Sequence, residues 1–233
     1  MRVAIVGFGK MGREIEAMAA RRGHHVVWTL SRTDNASGAG LTAERLAEAD
    51  AVFEFTAPDS VVENLLALAR SGATVICGTT GWQRDLPRIA EAFERGGGAL
   101  VHATNFSVGV RLFFETARAA AELFPRAGYA AYVVEEHHAE KRDAPSGTAK
   151  TLAGVVREAS GAGVAPPISS VRAGTIPGTH RLVFESPEDE VELVHRARGR
   201  AGFAKGAVWA AERVCVAGRR GVFEFGELLK EVS

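Results

Sequence analysis

Five short apolar runs recur within the first 106 residues, each separated from the next by a stretch with helical patterning, and this repetition restricts the fold more than any other feature. The runs cover residues 3–6, 26–30, 51–55, 74–77 and 99–103. Helical patterns fall near residues 11–22, 42–49, 60–70 and 85–95, with Thr42 and Ser60 placed as capping residues. Strands that alternate with helices pair in parallel through crossover connections, so this part is predicted to be a doubly wound, Rossmann-like α/β sheet.

The pattern changes after residue 106. A helix is expected over 109–124, a strand over 129–135 and a second helix over 148–159, followed by strand-like runs at 169–173, 180–185 and 191–198. With no helices among the last three, the prediction is an α+β domain built on a mainly antiparallel sheet. A helical pattern returns over 203–216, and the apolar tail 222–229 needs cover that the first domain offers by docking it back.

The 233 residues carry 28 Lys+Arg and 28 Asp+Glu, so no global field draws the chain to nucleic acid or to an acidic membrane. Anionic ligands must be met locally. No run approaches about 18 uninterrupted apolar residues, and the N-terminal run is too short for a secretory core, so the expected location is cytoplasmic. Two cysteines, Cys77 and Cys215, make neither a disulfide framework nor a zinc cluster.

Directly after the first run comes Gly7-Phe8-Gly9-Lys10-Met11-Gly12, opening the first helix. In this position Gly7 permits a tight turn, Gly9 lets pyrophosphate approach the backbone, and Gly12 lets helix and strand pack closely; Lys10 adds a charge. An acidic residue holding a ribose 2′-hydroxyl would stand about 20 residues on. Ser31 and Arg32 stand there instead and suit a 2′-phosphate, which favours NADPH over NADH, with Asp34 as an alternative ribose contact. Gly78-Thr79-Thr80-Gly81 and Ala103-Thr104-Asn105-Phe106 follow the fourth and fifth runs, at the strand ends where open α/β sheets bind ligands.

The densest chemistry lies between Glu135 and Lys150. Ser146, Gly147 and Thr148 precede an apolar helical pattern, so their N–H groups form a helix start suited to a carboxylate or phosphate, with Ser146 as the N-cap. His138 and Lys141 are placed to pair with the same anion, and Lys141 or His137 to move a proton. A metal at His137-His138 is disfavoured, since adjacent residues project differently and no further ligand stands at familiar spacing. His24, His25, His102, His180 and His195 are read as structural or solvent-facing. Arg196, Arg198 and Arg200 alternate, which on a strand places all three on one face.

On these residues the chain resembles the 4-hydroxy-tetrahydrodipicolinate reductase (dihydrodipicolinate reductase) family. The likeness runs through the glycine turn, Phe55-Thr56-Ala57-Pro58, Gly78-Thr79-Thr80-Gly81, Asn105-Phe106-Ser107-Val108-Gly109, the block from His137 to Ala149, Arg172-Ala173-Gly174 and Gly206-Ala207-Val208. The resemblance implies reduction of a cyclic imine-type dicarboxylate to tetrahydrodipicolinate by NADPH or NADH, in diaminopimelate and lysine biosynthesis. It places the proton donor on His137 and a second acid on Lys141, and substrate contacts on His138, Gly147 and Thr148. Cofactor contacts fall on Gly7 to Gly12, Gly78, Thr79, Thr80, Ala103, Thr104, Asn105 and Phe106, with Arg200 and Phe203 nearby. It further implies a dinucleotide-binding domain of residues 1–106 with 204–233, a substrate-binding and oligomerisation domain of residues 107–203, a homotetramer, and no metal. Two other readings share the nucleotide half: an NADP(H)-sensing protein without turnover, and an amino-acid dehydrogenase.

Overall fold

The computed structural model describes residues 1–231. It divides into two compact units, one made of Met1–Ser107 with the segment from Arg200 onward, the other of Val108–Gly199.

The first unit begins β1 (Arg2–Val6), α1 (Lys10–Arg21), β2 (His25–Leu30), α2 (Ala43–Ala47), β3 (Ala51–Glu54), α3 (Val61–Arg70), β4 (Thr74–Cys77), α4 (Leu86–Gly96) and β5 (Ala99–His102). These strands follow the apolar runs to within a residue or so, because the three or four consecutive buried residues of β1, β3, β4 and β5 suit a strand covered on both faces. The chain re-enters this unit after Gly199 as α7 (Ala201–Val216), β10 (Gly221–Glu224) and α8 (Phe225–Lys230). The apolar tail does find cover here, and it also adds a sixth strand parallel to β5.

All six strands are parallel, in the order β10-β5-β4-β3-β1-β2. The chain direction across the sheet reverses between β1 and β3, so their carboxyl ends flank a topological switch point. Ala4, Val6, Val52, Val75 and Leu100 pack beneath α3 and α4 through Leu65, Leu68, Ile89 and Phe93. Helices α1 and α7 pack together. Arg22, just past α1, and His24 share the carboxylate of Glu212 on α7 at 2.6 to 2.7 Å.

The second unit contains α5 (Val108–Leu123), β6 (Ala130–His137), α6 (Gly147–Ser160), β7 (Ile168–Arg172), β8 (Thr179–Glu185) and β9 (Glu190–Arg196). Its sheet runs β7-β6-β8-β9, antiparallel except for β6 with β7. That parallel pair follows from α6, which makes β6-α6-β7 a crossover unit. Val133, Leu182 and Phe184 pack against Phe113, Phe114, Leu152 and Val156 of the two helices. By strand alternation and register, Tyr132, Val134, Val183 and Val194 project from the opposite face. The expected arginine row does not form: β9 ends at Arg196, Arg198 lies beyond it, and Arg200 is the N-cap of α7. Gly199, at φ +149°, then turns the chain between Arg198 and the start of α7.

Helix α7 approaches the backbone of Phe106 so closely that a β-carbon at Gly206 would lie 1.7 Å from its carbonyl oxygen. Gly206→Ala is therefore expected to lower stability by about 2 to 3 kcal/mol, as overpacking against an immovable backbone does. Chemical denaturation checks this; a wild-type midpoint would show that the helix can shift.

Candidate active site

The nucleotide end forms at the switch point. Gly7 sits at φ +95°, and its N–H and that of Phe8 both donate to the Leu30 carbonyl at 2.9 and 3.1 Å. A β-carbon at Gly7 would lie 2.1 Å from the Phe55 carbonyl oxygen, and one at Gly78 would lie 2.1 Å from the Phe55 ring. Two motif glycines are thus required by a single residue at the end of β3. A β-carbon at Gly12 would meet the Gly7 carbonyl at 2.6 Å, whereas one at Gly9 would meet nothing within 4 Å. Gly9 caps α1 without any side chain, and no acidic residue occupies the first turn. The helix start therefore offers N–H donors and positive potential to an anion. Lys10 is exposed at its first position and Met11 half-buried.

A pocket of about 310 Å³ opens here, lined by Gly7, Phe8, Gly9, Ser31, Arg32, Asn35, residues of the β3–α3 connection including Phe55 and Thr56, and Asn64 of α3. Arg32 pairs with Asp59 at 3.0 Å, both mostly exposed, so water screens the pair and leaves the guanidinium exchangeable. Asp34 accepts from the Ser31 N–H at 2.9 Å and its hydroxyl at 2.5 Å, which hold its carboxyl below the usual range. Thr79 is buried with its hydroxyl committed to Glu54, while Thr80 is exposed. Ala103 and Phe106 are buried, Thr104 is exposed, and Asn105 accepts from the Ser107 N–H at 2.8 Å. Arg200 and Phe203 stand at the start of α7.

The second unit holds the titratable cluster. Strand β6 continues to His137, so alternation turns Glu135 and His137 to the helix side with Val133. Register places Arg172 of β7 beside His137, and His180 of β8 beside Glu135. Glu135 is fully buried; its Oε1 accepts from Arg172 at 2.6 Å and from the Ser146 N–H at 3.3 Å, and its Oε2 accepts from His137 Nδ1–H. Burial pushes the Glu135 carboxyl up, but hydrogen bonds from Arg172, Ser170 and His137 outweigh it and hold it at about 2. Fixing the proton on Nδ1 leaves Nε2 of His137 as the atom that can exchange one. Burial lowers the His137 pKa, Glu135 raises it, and Lys141 and Arg172 lower it again, which leaves the ring a readier acid than free imidazole.

Ser146 caps α6, its hydroxyl oxygen accepting from the Ala149 N–H at 3.2 Å. The same hydroxyl meets His180 Nε2 at 3.2 Å, and the His180 ring lies edge-on to His137 at 5.2 Å. His180, read from the sequence as structural or solvent-facing, is thus buried within this cluster. No sequence signal marked it, because only the register of β8 on β6 brings it to the site. Burial, then the neighbouring His137, depress His180 to about 4. Donor atoms of Glu135, His137 and His180 lie within 4.8 Å of one another, a spacing a metal could use. A guanidinium on Glu135 and the hydrogen bonds already made by each group favour proton handling instead.

Lys141 donates to the Asp143 carboxylate at 2.7 Å. Gly147 is exposed, Thr148 and His138 half-buried.

A doubly wound parallel sheet with a glycine turn at its switch point, in a chain whose other unit carries a carboxylate–imidazole pair, defines the class: a nicotinamide-dependent oxidoreductase. Residues 1–106 match the family "Dihydrodipicolinate reductase, N-terminus" and residues 109–229 match "Dihydrodipicolinate reductase, C-terminus". The 4-hydroxy-tetrahydrodipicolinate reductase of Christiangramia forsetii is 32% identical, covering 100% of this chain and 99% of its own. That of Thiobacillus denitrificans is 37% identical, covering 92% and 93%. The structure titled dipicolinate-bound dihydrodipicolinate reductase from Paenisporosarcina sp. TG-14 superimposes with a TM-score of 0.79 at 25% identity, covering 96% and 97%. The chain belongs to the dihydrodipicolinate reductase family, whose members are NAD(P)H-dependent oxidoreductases of lysine and diaminopimelate biosynthesis.

Protons excluded by the fold make stability depend on pH. His180 contributes stability above its unfolded value of 6.5 that is lost as pH falls toward 4, and Glu135 contributes stability above 4.5 that is lost as pH falls toward 2. Thermal melts are expected to show Tm declining through both windows. His180→Gln should shrink the first decline. Arg172→Leu should flatten the second and reduce neutral-pH stability by about 3 kcal/mol, since one member of a buried pair is left alone. Variant profiles parallel to wild type would remove these groups from the account.

Proposed function

We propose that this chain reduces the ring of 4-hydroxy-tetrahydrodipicolinate, with loss of water, to tetrahydrodipicolinate, using NAD(P)H with a preference for NADPH. The observation that carries the reading is the buried Glu135–His137 pair next to the Ser146-capped start of α6. A nicotinamide dinucleotide fits the first unit on its own geometry: an uncapped α1 N-terminus, open space at Gly9 and the adjoining pocket. When bound and reduced it supplies a hydride.

The residues of the glycine turn from Gly7 to Gly12 receive the pyrophosphate on backbone N–H groups. Ser31 and Arg32 engage a 2′-phosphate, Arg32 exchanging Asp59 for it, and this is the basis of the NADPH preference. Gly78, Thr79, Thr80 and the stretch from Ala103 to Phe106 line the nicotinamide side, Thr79 through its backbone because its hydroxyl is already used. Arg200 and Phe203 complete the cofactor contacts. In the second unit, the Gly147 and Thr148 backbone and His138 hold the substrate carboxylates, one of which takes the place of Asp143 on Lys141. Released from Asp143, the Lys141 ammonium neutralises charge on the ring. The 4-hydroxyl and an adjacent ring hydrogen leave as water; His137, oriented by Glu135, delivers a proton from Nε2 to balance the hydride, so the reduction itself adds two electrons and two protons to the ring.

The sheet face opposite the helices, with half-buried Tyr132, Val134 and Val194, supports assembly of four copies, and we place the protein in the cytoplasm. A native mass of four chains checks the assembly; a monomer at assay concentration overturns it.

The decisive experiment follows reduced-nicotinamide absorbance with the cyclic substrate. Wild type is expected to consume NADPH only when the substrate is present; binding without turnover favours a nucleotide sensor, and oxidation of amino acids favours a dehydrogenase. His137→Gln and Lys141→Ala should lower kcat by about 100-fold with cofactor binding kept. Arg32→Asp should shift the NADPH to NADH ratio of kcat/KM toward NADH by about tenfold. An unchanged ratio removes Arg32 from cofactor choice.

A further inference from the structure

We propose that Glu54 is a positioning residue for nucleotide binding: it polarises a buried hydrogen-bond chain that fixes which atoms the pocket wall presents. This deepens the nucleotide-binding reading above and rests on it.

Glu54 closes β3 and is fully buried. It does not face solvent or the pocket, and the chemistry described above does not use it. Its hydrogen-bonding neighbours are neutral donors. Oε1 accepts from the Thr56 hydroxyl and from Asn64 Nδ2 at 3.1 Å, and Oε2 from the Thr79 hydroxyl at 2.6 Å and the Cys77 thiol at 3.6 Å. A carboxylate can only accept, so each neighbour must turn its donor inward.

That requirement propagates outward. With its NH₂ on Glu54, Asn64 must direct its carbonyl oxygen to Asn35, whose Nδ2 donates at 2.8 Å. Asn35 is then left with its own carbonyl oxygen outward, where it accepts from the Gly40 N–H at 3.1 Å. The Asn35 N–H closes onto the Ser31 carbonyl at 3.2 Å, across the turn that carries Arg32 and Asp34. On the other side, the Thr79 hydroxyl is spent on Glu54, and its oxygen accepts from the Thr56 N–H at 2.8 Å. Asn35, Thr56 and Asn64 all line the pocket. One acceptor behind the wall thus sets the orientation of two amides and two hydroxyls, from the ribose end of the pocket to the β4 loop.

A glutamine fills the same volume but brings a donor into a ring of donors. Either one group is stranded in a buried site or the amide chain reverses, and both change the wall. An aspartate is shorter, yet keeps the acceptor-only character. The two substitutions therefore separate polarity from packing.

The test measures NADPH affinity by nicotinamide fluorescence titration, steady-state kinetics and melting temperature on the full chain. Glu54→Gln is expected to raise the Kd and KM for NADPH by about tenfold, the effect of roughly one net hydrogen bond, while kcat at saturating cofactor stays within about twofold. Glu54→Asp should retain more affinity than Glu54→Gln despite its smaller volume. Asn35→Asp, which sets an acceptor against the Asn64 carbonyl, should weaken NADPH in the same direction and serves if Glu54→Gln fails to fold. Wild-type affinity in Glu54→Gln or Asn35→Asp, or a larger loss in Glu54→Asp than in Glu54→Gln, overturns the proposal. Failure of the wild-type chain to bind NADPH or NADH overturns the nucleotide reading itself and the proposal with it.

Discussion

A carboxylate taken out of water must recover its solvation from the protein, and in this chain that demand falls at the carboxyl ends of two strands. Glu54 ends β3 and Glu135 lies near the end of β6, both fully buried. Around each, every polar group within reach is turned so that a donor points inward. The two sites meet the demand differently. Glu135 has the Arg172 guanidinium, an imidazole N–H and a helix N-terminal amide, so part of its field is passed to His137 as a fixed tautomer. Glu54 has hydroxyls, an amide and a thiol, so what it passes on is orientation. In one unit the buried acid tunes a proton, and in the other it shapes a wall.

The parallel sheet explains why ligand-facing loops gather at one edge of the first unit. All six carboxyl ends point the same way, and the loops after β1, β2 and β3 meet where the chain direction reverses. Phe55 is the wedge at that point. Its carbonyl occupies the space a Gly7 side chain would take, and its ring the space of a Gly78 side chain. The glycine turn is thus shaped by packing against the neighbouring strand as well as by any anion it receives, whereas Gly9 alone faces open space and suits the role of close approach.

The elements of the first unit are legible in the sequence, since buried parallel strands are continuous apolar runs and nothing else nearby looks like them. The tail is legible as apolar but not as a strand, because Gly221–Glu224 becomes one only through its pairing with β5. In the second unit the elements were visible and their pairing was not. The parallel step from β6 to β7, the end of β9 before Arg198, and the approach of His180 to His137 all come from register. At the candidate site, His137, Lys141 and the Ser146 cap stood within one dense stretch and could be picked out. Glu135 lay in that stretch without a distinguishing signal, and Arg172 and His180 lay far along the chain.

What the sequence by itself determined are the features whose energetics are local: the order of strands and helices, the glycine turn opening α1, the serine that caps α6, and the absence of a net field. Each depends on residues a few positions apart, where backbone conformation and side-chain type are enough. What only the tertiary structure decided are the partners of the buried acids. A carboxylate in a low-dielectric interior is satisfied by whichever donors the strand register and helix packing deliver, and those donors are 10 to 37 residues away from Glu54 and Glu135 in the cases of Asn64, Thr79 and Arg172. Because shifting a strand by one position turns its side chains to the other face, no local pattern can specify that meeting; the packed sheet does.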